Sequence, residues 1–408
     1  MKSKISENNA FSSFFLLFVF ILCSGFEKGT LIFDRDSGQS YIVDSKLGSG
    51  SNGEVFRVQR TNDTSSKEMA LKVFRKDIVD EAVEKAREGY EVYVKNCENK
   101  CGSALHRIFS VGDFFVKSKN GDEKFQGVLQ DLADEDSERL GQFMTARLLT
   151  HPYETLQALA YAYNELGAGL VQLHERKLVL NDIKPQNIFL VQNDLRFGDF
   201  DGVSMAGSST SPFMTLAYSG FEMMLPNFPQ NTRSDYFGFG GVFLTWILGN
   251  HPLQVYLTQF KRSHGEIDLI YQDDKYQEYD EFKSKLLELF TRSRDAGPVK
   301  LWNAYPVALD EDGDVRFLET PPKMLSLTWS QAMRNAFSEK KSDILKISRM
   351  SDLEKESFSL LYDEFADKIL SLVLATPSQR SFQKIDEGKI KIKGPLRKVI
   401  NEYRNCLN

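Results

Sequence analysis

The chain has 408 residues, with 51 Lys and Arg against 57 Asp and Glu, and therefore a net charge of −6. This balance excludes an intrinsically disordered chain and a nucleic-acid binder that works through bulk positive charge. Hydrophobic residues make up 41% of the chain, which is enough for one large domain or two ordinary ones. We expect a globular protein without a nucleic-acid partner.

Residues 1–25 predict a secretory signal peptide. After a basic start, an apolar run extends from Phe11 to Cys23, and the small residues Ser24 and Gly25 follow it. This order is typical of a cleaved signal, and the run is short for a membrane span of roughly 20 residues. An uncleaved anchor and a core helix are the alternatives. We expect the mature protein to enter the secretory pathway and to have no stable membrane span.

An oxidising compartment would allow a disulfide. Cys97 and Cys101 lie four positions apart, which is close enough for one bridge. Zinc binding is less well supported, because the sequence has no second pair of Cys or His at ligand spacing. Asn62-Asp63-Thr64 is a candidate glycosylation site.

Apolar patterning predicts an α+β protein. Strand-like alternation occurs in the first third of the chain, and helical spacing dominates the rest. The predicted strands lie between Tyr41 and Phe74, over Ile108–Val116 and over Phe125–Leu132, and the predicted helices cover Asp80 to about Val94 and Tyr153–Leu173. We infer a β-rich N-lobe over 40–134 and a helical C-lobe over 135–408, with a hinge near Asp131–Asp136.

The predicted C-lobe contains an enlarged region around 253–345. Within it, the run P-V-A-L-D-E-D-G-D-V-R-F-L predicts a β-hairpin around Asp312 and Gly313. A calcium-binding EF-hand does not fit, because aligning Gly313 with the sixth loop position places Ala308 at the first.

A glycine-rich turn joins the first two predicted strands. The run from Leu47 to Val55 matches G-x-G-x-x-G-x-V, with its glycines at Gly48, Gly50 and Gly53. Glycines let backbone N–H groups approach a phosphate closely. A dinucleotide-binding turn would lie between a strand and a helix, whereas this turn lies between two strands. It is a candidate phosphate site, and a plain hairpin turn is the alternative.

Lys72 lies inside the apolar strand that follows, in the sequence Ala70-Leu71-Lys72-Val73. A lysine with apolar neighbours is costly to bury unless it meets an anion. It is therefore a candidate phosphate-binding residue, and a lysine that reaches solvent from a strand edge is the alternative.

The most specific pattern lies over residues 180–202, in L-N-D-I-K-P-Q-N and L-R-F-G-D-F-D-G. Asp182 has the chemistry to accept a hydroxyl proton, and Lys184 has the charge to neutralise a transferring phosphate. Asn187 and Asp199 supply oxygen ligands for Mg²⁺. A polar loop between a helix and a strand would need all these groups to occur at fixed offsets by chance.

From about Leu47 to Arg380 the chain resembles the eukaryotic protein kinase superfamily, with that family's motifs in the same order. The resemblance implies a two-lobed, protein-kinase-like fold, ATP and Mg²⁺ as cofactors, and protein substrates. It assigns the phosphate-covering loop to Gly48, Gly50 and Gly53, phosphate pairing to Lys72, the catalytic base to Asp182, and metal binding to Asn187 and Asp199.

The same resemblance implies supporting residues. The nucleotide-binding set also includes Leu47, Val55, Ala70, Asp131 and Ala133, with Gln130 at the back of the adenine pocket. The acid that pairs with Lys72 is Glu91, with Glu88 and Glu84 as alternatives. Asp235 corresponds to the family's aspartate that braces the catalytic loop, and Glu222 and Arg380 correspond to its pair at the end of the activation segment.

The acceptor is expected to be Ser or Thr more than Tyr. Thr215-Leu216-Ala217-Tyr218 resembles the T-x-x-Y of serine/threonine kinases, and Lys184 follows Asp182 at the spacing found in them.

Three departures from the family bear on activity. Leu180 and Asn181 stand where the family has His-Arg, so a phosphorylated activation loop would lack its arginine partner, and we expect activity without that phosphorylation. Asp201 replaces the glycine after Asp199-Phe200, which disfavours a backbone flip there. The alanine and proline before Glu222 are replaced as well.

Alternative functions follow from these departures. A pseudokinase that binds nucleotide as an interaction or allosteric module is the first, and a kinase-fold enzyme acting on glycans or small molecules is the second. A narrower resemblance, carried by the signal segment, Asn181 and the G-D-F-D motif, is to the secreted rhoptry-type kinases of coccidian parasites. Many of those proteins have a long N-terminal extension that this chain does not show.

Overall fold

A computed structural model describes residues 26–49, 53–61, 67–74, 80–97, 102–117, 122–208, 215–220, 223, 230–252, 254–255, 258–259, 307–309, 315–317, 329–374, 380–392 and 394–407. The chain divides into two compact units. The first comprises Met1–Arg87 with Arg107–Leu132, and the second comprises Glu88–His106 with Ala133–Asn408. The predicted signal peptide, Asn62 and much of the enlarged region lie outside the described residues.

The first unit is a closed antiparallel barrel. Its strands are β1 (Leu31–Asp34), β2 (Ser40–Ser49), β3 (Gly53–Arg60), β4 (Glu68–Phe74), β5 (Ile108–Val116) and β6 (Glu123–Asp131), in the order β1-β2-β3-β4-β6-β5. Alternating apolar residues fill its interior, because successive side chains of a strand point to opposite faces. The core comprises Ile32, Tyr41, Val43, Phe56, Val58, Met69, Leu71, Phe114, Phe125 and Leu129.

Helix α1 (Asp80–Cys97) crosses the boundary between the two units. It extends beyond the end predicted near Val94. Its buried side chains recur at helical spacing, at Ala86, Gly89, Tyr90, Tyr93 and Cys97. Cys97 is disulfide-bonded, and its predicted partner, Cys101, lies outside the described residues.

The second unit is mainly helical. Its helices are α2 (Glu138–Thr150), α3 (Pro152–Glu175), α4 (Thr232–Leu248), α5 (Trp329–Ile347), α6 (Asp352–Leu374) and α7 (Pro395–Leu407). The proline at the first position of α3 suits a helix start. At the start of α4 the Asn231 side chain accepts a hydrogen bond from the Arg233 N–H, and Gly249 ends that helix with a φ of 85°.

An aromatic cluster fills the core of this unit. Tyr163 of α3 contacts Phe239 and Phe243 of α4 and Phe365 of α6, with ring centroids 5.1–5.4 Å apart. Such edge-on and tilted pairs add to the energy of burial. Within the described ranges, no helix has both the length and the apolar content to cross a membrane.

Short strands shape the loops of the second unit. They are β7 (Glu135–Asp136), β8 (Leu178–Val179), β9 (Ile188–Val191), β10 (Asp194–Phe197), β11 (Ser204–Met205), β12 (Val307–Leu309) and β13 (Val315–Phe317). β9 pairs with β10 and β7, and β8 pairs with β11. The antiparallel pair β12–β13 confirms the hairpin predicted around Asp312. A strand-rich first unit and a helical second one confirm the α+β prediction.

The buried carboxylate of Asp235, in the first turn of α4, joins three segments of the second unit. It accepts hydrogen bonds from the backbone N–H groups of Leu180 and Asn181, each at 2.8 Å. Nε2 of His174, at the end of α3, lies 2.9 Å from Oδ2 of the same carboxylate. Because this carboxylate is 2% exposed, the three contacts replace its lost hydration.

We expect Asp235→Ala to lower the free energy of unfolding by about 3–5 kcal/mol, because it leaves buried donors without an acceptor. Urea unfolding followed by circular dichroism measures the change. The matched control is Asp194→Ala, whose carboxylate is 65% exposed and whose loss should cost about 0.5 kcal/mol or less. Equal unfolding midpoints for the two variants would contradict the bracing role.

Candidate active site

The segment that follows β8 carries three of the predicted site residues close together: Asp182, Lys184 and Asn187. Asn181 has a φ of +68°, a left-handed conformation that asparagine tolerates better than most residues. Its side-chain amide donates to the carbonyl oxygen of Gly202 at 2.7 Å and to Oγ of Ser204 at 2.9 Å. The predicted catalytic loop is thereby tied to the beginning of the predicted activation segment.

Asp182 is held by its two neighbours in the loop. Nζ of Lys184 lies 2.8 Å from Oδ2 of Asp182, and Nδ2 of Asn187 donates to that same oxygen at 2.9 Å and to the Asp182 carbonyl at 2.9 Å. The 3₁₀ turn Pro185–Asn187 brings Asn187 back towards Asp182. In the described part of the chain, the buried Oδ1 of Asp182 has no hydrogen-bond partner, so one carboxylate oxygen is an acceptor.

Asp199 reaches the same region through the β9–β10 hairpin. The register of this hairpin pairs Ile188 with Phe197, so the residues just before β9 and just after β10 lie close together. The Gly198 N–H accordingly donates to the Asn187 carbonyl at 2.9 Å. The backbone of Asp199 is left-handed, with φ 53° and ψ 72°, a strained conformation that is common at functional sites.

The donors of Asn187 and Asp199 fit Mg²⁺. Both hydrogen bonds of the Asn187 amide use its nitrogen, so its oxygen is the atom that would ligate a cation. Among the described residues, no three His, Cys, Asp or Glu side chains form a metal cluster. One carboxylate and one amide oxygen suit Mg²⁺, which keeps several waters and shares substrate phosphates, better than they suit a metal that needs a full protein cage.

Asp201, where the family has glycine, is 5% exposed and lies in the 3₁₀ turn Phe200–Gly202. Its φ is not in the positive range, so an L-residue adopts this backbone without strain. The substitution is therefore compatible with the left-handed conformation of the preceding Asp199.

The buried face of α1 contacts this motif. The Tyr90 hydroxyl donates to Oδ1 of Asp199 at 3.3 Å, and the Tyr93 ring stacks on Phe200 with centroids 3.8 Å apart. Burial raises the pKa of Tyr93, and its hydroxyl donates to the His106 carbonyl at 3.1 Å. Glu91, the predicted partner of Lys72, is exposed on this helix, and its pairing stays a prediction.

In the first unit, the sheet register gathers the predicted phosphate residues. Gly48 pairs with Val55 between β2 and β3, and Val55 pairs with Lys72 between β3 and β4. Lys72 is 8% exposed, and a lysine buried to this extent needs an anionic partner. A Cβ atom at Gly53 would lie 2.4 Å from the Val73 carbonyl oxygen, so glycine is required there. Gly50 lies outside the described residues.

The predicted adenine-side residues lie on β4, β6 and the segment after β6. Ala70 is buried and pairs with Gln130 in the sheet. The Asp131 N–H donates to the Arg107 carbonyl at 3.0 Å, and the Asp131 carboxylate lies 3.2 Å from Nζ of Lys67. Leu47 is 43% exposed on β2, and Ala133 is half-buried at the start of the second unit.

The substrate side of the predicted site is described in part. Nζ of Lys184 donates to Oγ1 of Thr215 at 2.8 Å. Arg380 is buried, and its carbonyl accepts a hydrogen bond from Nη1 of Arg233 at 2.8 Å. Its predicted partner, Glu222, lies outside the described residues.

Sequence reasoning missed three contributors to this arrangement. Tyr90 lies among the acids from which the partner of Lys72 is predicted, and the sequence marks Asn181 only as the residue that replaces an arginine. No sequence pattern assigns a role to His174, which contacts Asp235. The available signal was position: His174 lies in the last turn of the long helix that leads into the predicted catalytic loop.

Comparison with known proteins finds similarity to protein kinases, in agreement with the motifs described above. The protein kinase domain model matches residues 41–297, more than half of the chain. The serine/threonine-protein kinase Nek5 of Mus musculus is 30% identical over 95 residues, which cover 22% of this chain and 15% of that protein. The mitogen-activated protein kinase kinase kinase 1b of Physcomitrium patens is 27% identical over 172 residues, which cover 40% of this chain and 22% of that protein.

The matched segments thus span less than a quarter of either relative. The family match, by contrast, includes both the barrel strands that carry the glycine-rich turn and the loop that carries Asp182 and Asn187. This chain belongs to the protein kinase domain family.

Proposed function

We propose that the protein is an active serine/threonine protein kinase that transfers the γ-phosphate of ATP to a hydroxyl group of a protein substrate. The observation that carries the proposal is the carboxylate of Asp182. Oδ2 is held by Lys184 and Asn187, whereas the buried Oδ1 has no hydrogen-bond donor among the described residues. A carboxylate oriented in this way is suited to accept a proton from an incoming hydroxyl.

The reaction that we derive is an in-line transfer. The substrate oxygen attacks the γ-phosphorus, its proton passes to Oδ1 of Asp182, and the bond between the γ-phosphorus and the β-phosphate oxygen breaks. The Lys184 ammonium, beside Asp182, offsets negative charge on the transferring group. When bound at Asn187 and Asp199, Mg²⁺ supplies neutralisation of the phosphate charge.

The contact between Lys184 and Thr215 supports Ser or Thr as the acceptor. Nζ of Lys184 bridges the Asp182 carboxylate and the Thr215 hydroxyl at 2.8 Å each. The lysine therefore links the proposed base to the segment that resembles the T-x-x-Y of serine/threonine kinases. Both curated relatives carry protein kinase names, and the name of Nek5 specifies serine/threonine.

We expect Asp182→Asn to lower kcat by at least roughly 100-fold, because the amide cannot take up the hydroxyl proton. Transfer of ³²P from ATP to a peptide library measures kcat, and a thermal-shift titration checks nucleotide binding, which should not change. The exposed Asp194→Asn is the matched control and should retain wild-type transfer. If the wild type binds nucleotide but transfers no phosphate with Mg²⁺ or Mn²⁺, the pseudokinase alternative replaces this proposal.

We also propose that activity does not need phosphorylation of the activation segment. Asn181 supports this, because its side chain connects the catalytic loop directly to Gly202 and Ser204 through hydrogen bonds of 2.7 and 2.9 Å. An arginine at this position would instead need a phosphate to order the segment. A neutral amide makes the connection without one.

Phosphatase treatment is therefore expected to leave kcat within twofold of the untreated enzyme. Asn181→Ala should lower kcat by up to roughly 30-fold in both forms, since it removes two hydrogen bonds of about 1 kcal/mol each. Ser204→Ala removes one acceptor and should show a smaller loss. Loss of activity on phosphatase treatment of the wild type, with phosphate detected in the segment beforehand by mass spectrometry, would refute the proposal.

We propose further that the kinase acts in the secretory pathway. The basic, apolar and small-residue order of residues 1–25 supports this, as do the disulfide-bonded Cys97 and the narrower resemblance to secreted rhoptry-type kinases. When the full chain is expressed in a eukaryotic secretory host, we expect protein in the medium whose sequence begins near Phe26. A chain lacking residues 1–25 is the control and should stay inside the cell; equal retention of both would refute the assignment.

A further inference from the structure

One face of α1 is built to approach the backbone around Asp199. The residues on this face are Gly89, Tyr90 and Tyr93, which are buried, whereas the acids Glu88 and Glu91 are exposed. The helix therefore turns aromatic and small residues, not carboxylates, towards the interior of the second unit.

Gly89 permits the approach. A Cβ atom at this position would lie 2.5 Å from the carbonyl oxygen of Asp201 and 2.6 Å from that of Phe200. A Cβ atom does not approach a carbonyl oxygen this closely, so any larger residue would force the helix and the motif apart. The close fit brings the next residue, Tyr90, to the Asp199 side chain.

Tyr90 is fully buried, and its hydroxyl donates to Oδ1 of Asp199 at 3.3 Å. Its ring also meets Phe200 edge-on, with centroids 6.0 Å apart. The neighbouring Tyr93 stacks on Phe200 at 3.8 Å, so two aromatic rings of one helix fix the residue that follows Asp199. Packing therefore holds the phenol ring in the position from which its hydroxyl donates the hydrogen bond.

We propose that Tyr90 is a positioning residue for Asp199: its hydroxyl fixes the rotation of the carboxylate that binds the Mg²⁺–nucleotide complex. The inference rests on the proposed kinase function. A side chain on an exposed loop would rotate among several conformations, whereas a carboxylate with a defined donor on one oxygen is preorganised for its ligand. In the second unit, this donor comes from a neutral phenol of α1.

The test compares Tyr90→Phe with Tyr93→Phe. Each variant removes one hydroxyl from the buried face of α1, but the Tyr93 hydroxyl bonds the His106 carbonyl and not a carboxylate. The probe is Mn²⁺, whose binding in the presence of a non-hydrolysable ATP analogue is measured by electron paramagnetic resonance. Thermal midpoints establish that both variants are folded.

We expect Tyr90→Phe to weaken Mn²⁺ binding roughly 3- to 10-fold, below the 10- to 100-fold typical of shorter contacts to a ligand. Tyr93→Phe should bind within twofold of the wild type. Raising the Mn²⁺ concentration should restore phosphotransfer by Tyr90→Phe, which a general loss of structure would not allow.

Equal Mn²⁺ affinity for the wild type and Tyr90→Phe would overturn the positioning role alone, and so would equal weakening by both variants. A wild-type protein that binds neither the nucleotide analogue nor Mn²⁺ would overturn the proposed kinase function and this inference with it. The two failures are therefore distinguishable in one experiment.

Discussion

The hydrogen bonds accepted by Asp235 are the constraint on which the proposed catalytic loop depends. A carboxylate that is 2% exposed is stable only when donors surround it, and here the donors are two consecutive backbone N–H groups and a histidine. Those N–H groups belong to Leu180 and Asn181, the residues directly before Asp182. A side chain in α4 that is not itself part of the reacting groups therefore sets the path of the loop that carries them.

The path of this loop has consequences on both sides of it. The left-handed backbone of Asn181 turns its amide towards Gly202 and Ser204, which fastens the strand pair β8–β11. On the other side, the 3₁₀ turn at Pro185–Asn187 lets Asn187 reach back to Asp182. The same few adjacent residues therefore contact Asp235, connect the loop to the predicted activation segment and orient the proposed base, Asp182.

Sequence alone predicted which candidate site residues lie close together where that proximity depends on local spacing. Asp182, Lys184 and Asn187 lie within six consecutive positions, so any loop that turns there brings them together. Asp199 was predictable for a related reason, because a short antiparallel hairpin returns the chain to its starting point. The α+β class followed from the change in apolar periodicity between the barrel strands and the long helix α3.

Sequence could not supply features that depend on how separate segments pack. Strand β1 is four residues long and offers too little alternation to be identified, although it closes the barrel between β2 and β5. The face of α1 that is buried was equally hard to predict from sequence. Glu84, Glu88 and Glu91 are spaced so that a small rotation of the helix about its axis changes which one faces inwards. Tertiary contact at Gly89 selects that rotation, and no local pattern encodes it.

The rotation of α1 that close packing at Gly89 selects also avoids electrostatic repulsion beside Asp199. A buried glutamate at position 90 would place a second negative charge beside the Asp199 carboxylate, and like charges at hydrogen-bond distance repel strongly where water is scarce. A phenol fills the same volume, packs against Phe200 and donates a proton without adding charge. Two acids of α1, Glu88 and Glu91, are instead exposed. A neutral donor therefore orients Asp199 without itself neutralising the carboxylate that is proposed to bind the cation.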